Sequence, residues 1–223
     1  MGYMVDTAFI VKFTPLYIEA MGLVLELCFF GVLFSLIIGL FCAIVRYYRI
    51  PVLRSAAGVY IELSRNTPLV IQLFFLYFGL PRVGITFDSF TCAVTGLSFL
   101  GGSYMAEAFR GGLEAIGRGQ IESGLSIGLS RSQLVRYVAL PQALAVAAPA
   151  LGANVIFLLK ETSVVSIVAL ADLMSLAKDL IGLYYKTNEA LLMLVAGYLI
   201  LLLPLSGLFR FAERRLRYAG FGN

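Results

Sequence analysis

Long apolar stretches alternate with short polar segments along the whole chain. A membrane helix needs about 20 mostly apolar residues. Five stretches meet that length, at residues 20–45, 56–80, 90–108, 143–170 and 190–209. The second is interrupted by Arg65-Asn66-Thr67-Pro68, and the fourth by Lys160-Glu161-Thr162-Ser163. The third is rich in glycine. The longest polar segment, 109–142, lies between the third and fourth stretches. A moderately polar segment from Asp172 to Glu189 is expected to form a short surface helix. No internal repeat, linker or low-complexity tract breaks the pattern. It predicts an all-α membrane protein with five transmembrane helices in a single domain over residues 1–223.

Charge orients these spans. Five crossings put the two termini on opposite sides. Segments 46–55, 109–142 and 210–223 share one side and hold eleven arginines, among them Arg46, Arg49, Arg54, Arg110, Arg118, Arg136 and Arg217. The other side holds four basic residues: Lys12, Arg82, Lys178 and Lys186. Cytoplasmic loops are the ones that carry the excess of Lys and Arg. The N-terminus is therefore expected outside and the C-terminus in the cytoplasm.

Composition agrees and narrows the chemistry. The chain is 60% hydrophobic and 13% charged, with a mean hydropathy of +0.91. Soluble domains are about half apolar and about a quarter charged, so lipid must take up the excess. The net charge of +4 follows from topology and does not point to nucleic acid. Histidine is absent, which removes Ser-His and Cys-His nucleophiles and every imidazole metal site. Cys28, Cys42 and Cys92 sit inside apolar runs without ligand spacing and read as packing residues. No phosphate-binding loop ending in Lys-Ser/Thr is present, so the chain cannot hydrolyse ATP by that route. The N-terminus lacks the order of features of a removable signal.

The polar segment has a local plan of helix, break, helix. Residues from Ile121 to Ile127 can form two turns. Gly128 suits a left-handed cap. Ser130 is then a good N-cap, and Gln133 three residues on completes a capping box. The next helix carries Leu134, Val135, Val138 and Leu140 on an apolar face before Pro141. An ordinary amphipathic surface pair has the same pattern. The small residues Ser123, Gly124 and Gly128 would let a partner backbone approach closely.

Glu122-Ser123-Gly124, three residues, Gly128, nine residues, then Val138-Ala139-Leu140-Pro141 resembles the EAA loop of ABC importer permeases. Its spacing matches throughout, with Ser123, Gly124 and Val138 departing from the family letters. The flanks resemble the polar amino acid branch of that family: Glu107-Ala108-Phe109-Arg110-Gly111-Gly112 before the loop, Leu140-Pro141-Gln142-Ala143 after it. Arg65-Asn66-Thr67-Pro68-Leu69 and Leu159-Lys160-Glu161-Thr162-Ser163 resemble the branch too. The similarity covers about residues 14–218. It implies the type I importer fold. It further implies that Glu122, Ser123, Gly124, Gly128, Leu129, Ser130 and Arg131 couple the chain to a cytoplasmic ATPase dimer. The implied partners are a second permease chain, identical or related, an extracytoplasmic amino acid-binding protein and the amino acid itself. ATP and magnesium would be bound by the ATPase, and no cofactor by this chain.

The interrupted helices give a physical reading of the pathway. An arginine at mid-membrane costs about 2.5–3.5 kcal/mol on insertion scales, and such charges usually face a wet cavity with a partner. Glu62, three residues before Arg65, is a candidate partner. Proline disfavours helix at the residue before it, so a helix starting at Pro68 with Thr67 as N-cap would place free N–H groups inside the membrane. Broken helices with this polarity face anionic groups of substrates in transporters. In the fourth span, Glu161 could hold an ammonium group, and Thr162 and Ser163 either end of an amino acid. The residues expected along the pathway are Arg65, Asn66, Thr67, Gln72, Lys160, Glu161, Thr162 and Ser163. The alternatives are a structural kink with Arg65 snorkelling to the interface, and solvated Lys160 and Glu161 at the outer surface. Glu26 is a further buried acid without an assigned role. A gradient-driven secondary transporter or channel would share the intramembrane charges but does not need the EAA-like spacing. A membrane enzyme fits poorly with the absence of histidine, and a signalling subunit has no use for a pathway.

Overall fold

The computed structural model describes residues 5–221, excluding the side chains at 118 and 216–221. The side chains of Arg118 and Arg217, counted above for topology, lie outside the described residues. Every regular element described is helical. In chain order they are α1 (Thr7–Tyr47), α2 (Leu53–Asn66), α3 (Leu69–Phe74), α4 (Ser89–Glu114), α5 (Arg118–Ser126), α6 (Arg131–Leu134), α7 (Leu140–Glu161), α8 (Leu173–Tyr184) and α9 (Thr187–Phe221). A π turn (Phe75–Gly79) and a 3₁₀ turn (Leu80–Val83) extend α3, a second π turn (Val135–Ala139) joins α6 to α7, and a 3₁₀ segment (Thr162–Val168) extends α7.

Three helical runs are long and apolar enough to cross a membrane: Thr7–Tyr47, Arg131–Val168 and Thr187–Arg215. The expected second span is divided between α2 and the shorter apolar run Leu69–Val83. The glycine-rich third is one helix of 26 residues.

The chain forms two compact units. The first comprises residues 1–32, 67–98 and 156–205. Its core is a stripe along α1, Phe9, Phe13, Tyr17, Ala20, Val24 and Cys28, at helical spacing. This stripe packs with Leu173, Ala177 and Leu180 of α8 and Ala190, Met193 and Leu194 of α9. The Tyr17 hydroxyl donates to the Ala190 carbonyl at 3.0 Å. This packing explains why α1 begins at Thr7, well before residue 20. Lys12, Thr14, Pro15 and Glu19 break the apolar run in sequence, yet the buried stripe continues beneath them. Asp6 caps the helix by accepting from the Phe9 N–H at 3.1 Å. Lys186 donates to Asp6 at 2.9 Å, which holds that carboxyl below its ordinary value.

The second unit comprises residues 33–66, 99–155 and 206–223. Cys42, Val45, Ala57, Ile61 and Ala106 form a buried cluster there. Hydroxyls tie α2 to α4: Tyr60 donates to the Phe99 carbonyl at 2.7 Å, and Ser64 to the same carbonyl at 2.9 Å. The close approach of α1 and α4 requires Gly39, where a Cβ would meet Met105 Cβ at 2.5 Å and the Ala106 backbone nitrogen at 2.8 Å. All three cysteines are free and buried. Glu26, expected to be buried, is exposed on α1; the helix turns it away from the Val24–Leu27–Cys28 stripe.

Candidate functional site

The loop between α4 and α7 folds as its local chemistry dictates. α5 ends in a Schellman-type cap: Leu129 N–H donates to the Gly124 carbonyl at 3.1 Å and Gly128 N–H to the Leu125 carbonyl at 3.0 Å. Gly128 sits at φ +86°, a conformation that glycine adopts without steric cost. Two residues on, Ser130 caps α6. Its hydroxyl accepts from Gln133 N–H at 3.3 Å, while the Gln133 side chain accepts from Ser130 N–H at 2.9 Å, so the capping box is complete.

The side chains then divide. Glu122, Ser123, Ser130 and Arg131 are exposed and Leu129 is half-buried. Gly124 is buried, and its role differs from the expected one. A Cβ there would lie 2.9 Å from Leu134 Cδ1 and 3.5 Å from Leu129 Cδ1. The space is therefore filled by this chain's own leucines and is not left for a partner backbone. The apolar face expected after Ser130 is also narrower: Leu134 is buried, but Val135 and Leu140 are exposed. Pro141 cannot donate to the Tyr137 carbonyl, and the π turn at Val135–Ala139 lies where that bond is missing. It rotates the face that a regular helix would keep. Ile127, 78% exposed, and Tyr137, 65% exposed, stand out from this polar loop. Sequence reasoning missed both, because exposure of a single apolar residue leaves no periodic signal.

The interrupted helices contribute to both units. In the first unit, α3 packs against the 3₁₀ segment Thr162–Val168. This brings Thr67 and Gln72 into the same unit as Lys160, Glu161, Thr162 and Ser163. The break at Thr67-Pro68 is one residue later than expected. Pro68 holds the N-cap position, with φ −57° and ψ 142°, and no side chain caps the helix. Thr67 is not the N-cap. Its carbonyl accepts from buried Gln72 Nε2 at 2.9 Å. Thr162 is fully buried and its hydroxyl donates to the Leu159 carbonyl at 2.7 Å. Ser163 donates to the Lys160 carbonyl at 2.9 Å. Both hydroxyls thus keep their oxygens as acceptors. Lys160 is exposed and Glu161 half-buried. Tyr198 of α9 places its hydroxyl beside Thr162 and Ser163, a neighbour that the sequence does not signal.

Arg65 and Asn66 belong to the second unit. Arg65 is not paired with Glu62. Its guanidinium lies over the Tyr104 ring, 5.1 Å from the centroid. Glu62 instead accepts from Asn66 Nδ2 at 3.1 Å, and the Glu62 carbonyl accepts from the same nitrogen at 2.8 Å. The short amide completes an i, i+4 pair, and the arginine takes the aromatic face.

Comparison with known proteins gives this arrangement a family. The family described as binding-protein-dependent transport system inner membrane component matches residues 35–218. A probable amino-acid ABC transporter permease protein, PatM of Vibrio harveyi, is 34% identical over 222 residues, covering 98% of this chain and 99% of that protein. The glutamine transport system permease protein GlnP of Escherichia coli (strain K12) is 36% identical over 205 residues, covering 91% and 94%. A crystal structure of an amino acid ABC transporter with histidines superposes with a TM-score of 0.87 at 36% identity, over 95% of this chain and 99% of that one. The chain belongs to the binding-protein-dependent transport system inner membrane components, as an amino-acid ABC transporter permease: a multi-pass membrane transport subunit and not an enzyme.

Proposed function

We propose that this chain is the membrane-spanning subunit of an ATP-driven importer that moves a polar or charged amino acid by alternating access. The observation that carries the coupling role is the loop geometry. A left-handed glycine cap at Gly128 and a complete capping box at Ser130 fix two short helices at a defined angle. Around them Glu122, Ser123 and Arg131 are free to meet a partner, and Ile127 offers an apolar contact. α6, the π turn, α7 and the 3₁₀ segment form one helical run, Arg131–Val168. Motion imposed on Ser130 therefore has a continuous element to follow toward Thr162.

In this reading ATP and magnesium bind to a cytoplasmic ATPase dimer, whose closure moves the loop. A second permease chain, identical or related, completes the membrane part, and an extracytoplasmic binding protein delivers the amino acid. The chain acts as a single type I permease domain with five spans, its N-terminus outside and its C-terminus in the cytoplasm. Arg65, Asn66, Thr67, Gln72, Lys160, Glu161, Thr162 and Ser163 contribute to the pathway. The acceptor oxygen of half-buried Ser163 suits a substrate ammonium group. One relative is named for glutamine, which supports a polar substrate.

The test is purification of the tagged protein from its own host in mild detergent, followed by reconstitution. The expected result is a stoichiometric ATPase companion, and ATP hydrolysis and uptake raised by one loaded binding protein. A folded preparation without an ATPase, whose uptake follows an ion gradient in the absence of ATP, would overturn the reading in favour of a secondary transporter.

A further inference from the structure

Three helical elements close with the same Schellman-type pairing, and one of them breaks its usual chemistry. After the 3₁₀ turn at Leu80–Val83, Ile85 N–H donates to the Leu80 carbonyl and Gly84 N–H to the Pro81 carbonyl. After α5 the same pairing surrounds Gly128. Both glycines sit at φ +86°. At the end of α1, Ile50 N–H donates to the Val45 carbonyl at 3.1 Å and Arg49 N–H to the Arg46 carbonyl at 3.3 Å. Here the left-handed position, φ +54°, is held by Arg49. An L-residue with a side chain is disfavoured relative to glycine in that conformation, because its Cβ crowds the following carbonyl oxygen. Three residues on, Val52 has φ +66°, an outlier for a β-branched residue. Strain concentrated in this way usually serves a site.

The strained turn puts Arg49 on the wall of a cavity of about 480 Å³, together with Arg46, Arg54, Arg110 and Glu114. Two of these arginines are already neutralised. Arg46 and Arg110 both pair with Glu107, and Arg110 also pairs with Glu114 at 2.5 Å. Arg49 and Arg54 form no ion pair among the described residues. The group therefore sets four guanidinium groups against two carboxylates, leaving two positive charges in excess. A guanidinium fork matches the geometry of a phosphate oxygen pair. The rim of the turn is apolar and exposed: Tyr48 at 68% and Val52 at 80%, followed by Leu53. Tyrosines at the end of an apolar helix mark the headgroup level of a bilayer. A soluble anion has no use for such a rim, whereas a lipid needs both a cationic pocket and an apolar border.

We propose that the Arg46–Arg49–Arg54–Arg110 cavity binds the phosphate of an anionic phospholipid headgroup in the cytoplasmic leaflet. The leaflet rests on the orientation given under the proposed function; the phosphate chemistry does not. Arg49 occupies a glycine's place because its charge is needed at that wall.

The test uses the complete transporter in nanodiscs that contain phosphatidylglycerol and phosphatidylcholine, with native mass spectrometry reading the lipid retained after transfer to detergent. Wild type is expected to retain phosphatidylglycerol preferentially. R49G removes the charge and relieves the backbone. It should raise the thermal unfolding midpoint in neutral detergent while lowering phosphatidylglycerol retention about fivefold. R54Q should lower it to a similar extent, and R136Q, outside the cavity, should not. Equal retention of the two lipids by wild type, or unchanged retention in both R49G and R54Q, overturns the proposal. Binding of inorganic phosphate that R49G weakens, with no lipid preference, would assign the cavity to a soluble anion and overturn the lipid assignment. Retention is read without ATP or substrate, while uptake by the same preparation reads the importer assignment, so the two fail separately.

Discussion

Gly128 shows how far a single residue constrains the loop. A Cβ at this position would meet nothing within 4 Å, so a substitution meets no steric clash and strains only the backbone. The G128D variant should cost roughly 1–2 kcal/mol locally and leave a folded, membrane-inserted protein. The angle between α5 and α6 would shift, and ATP-driven uptake in proteoliposomes should fall to background. Uptake retained at the wild-type rate would remove the loop from the coupling path. Gly128, Ser130 and Gln133 could be read from sequence because a cap depends only on residues within one turn. Arg65 and Gly124 could not. The partner of Arg65 is Tyr104, 39 residues away, and the space beside Gly124 is filled by Leu129 of the connecting turn and Leu134 of α6. Pairing at such separations depends on packing that periodicity does not encode.

Among the elements, α8 is held by a cap with a pH signature. Asp172 is fully buried and accepts from Ser175 N–H at 3.1 Å and Met174 N–H at 3.2 Å. Burial pushes its carboxyl above the ordinary Asp value of 3.8, against the pull of those hydrogen bonds and of Lys178. Because the folded-state value is raised, the protonated form is favoured on folding. The corresponding stability is present below the ordinary value and is lost as pH rises through the raised one. D172N keeps a cap acceptor, since Asn and Asp are comparable N-caps, and has no charge to gain. The unfolding midpoint of wild type should fall relative to D172N as pH rises from below 3.8; parallel profiles would show that the buried carboxyl carries no such linkage. The short helix itself was legible, as a moderately polar segment between apolar runs. The early start of α1 was not. Its buried stripe shares the helix with Lys12, Thr14 and Glu19, so average hydropathy falls although one face stays apolar. The division of the second span was legible from Pro68, because proline acts on its immediate neighbours.

For the whole molecule, the sequence carries a stronger topological signal than helix length does. Among the described residues three helical runs pass on length and composition, because the proposed span broken at Thr67-Pro68 and the glycine-rich one do not look like uninterrupted lipid-facing helices. Such spans need not be apolar all round, since broken or glycine-rich helices can be buried by protein instead of lipid. With the five proposed crossings, the basic residues divide eleven to four, the asymmetry expected when the richer side is cytoplasmic. The native cysteines are buried at 7%, 5% and 0% exposure, so they should be silent toward a polar maleimide, and single exposed cysteines can report sidedness. S132C lies on the exposed loop, T187C at the start of α9 and T7C at the start of α1. With five spans and an outside N-terminus, T7C and T187C should label in intact cells, and S132C only after permeabilisation. Labelling of T7C and S132C from the same side would require an even number of crossings between them. That outcome would move the arginine cavity to the other leaflet or the loop out of reach of a cytoplasmic ATPase.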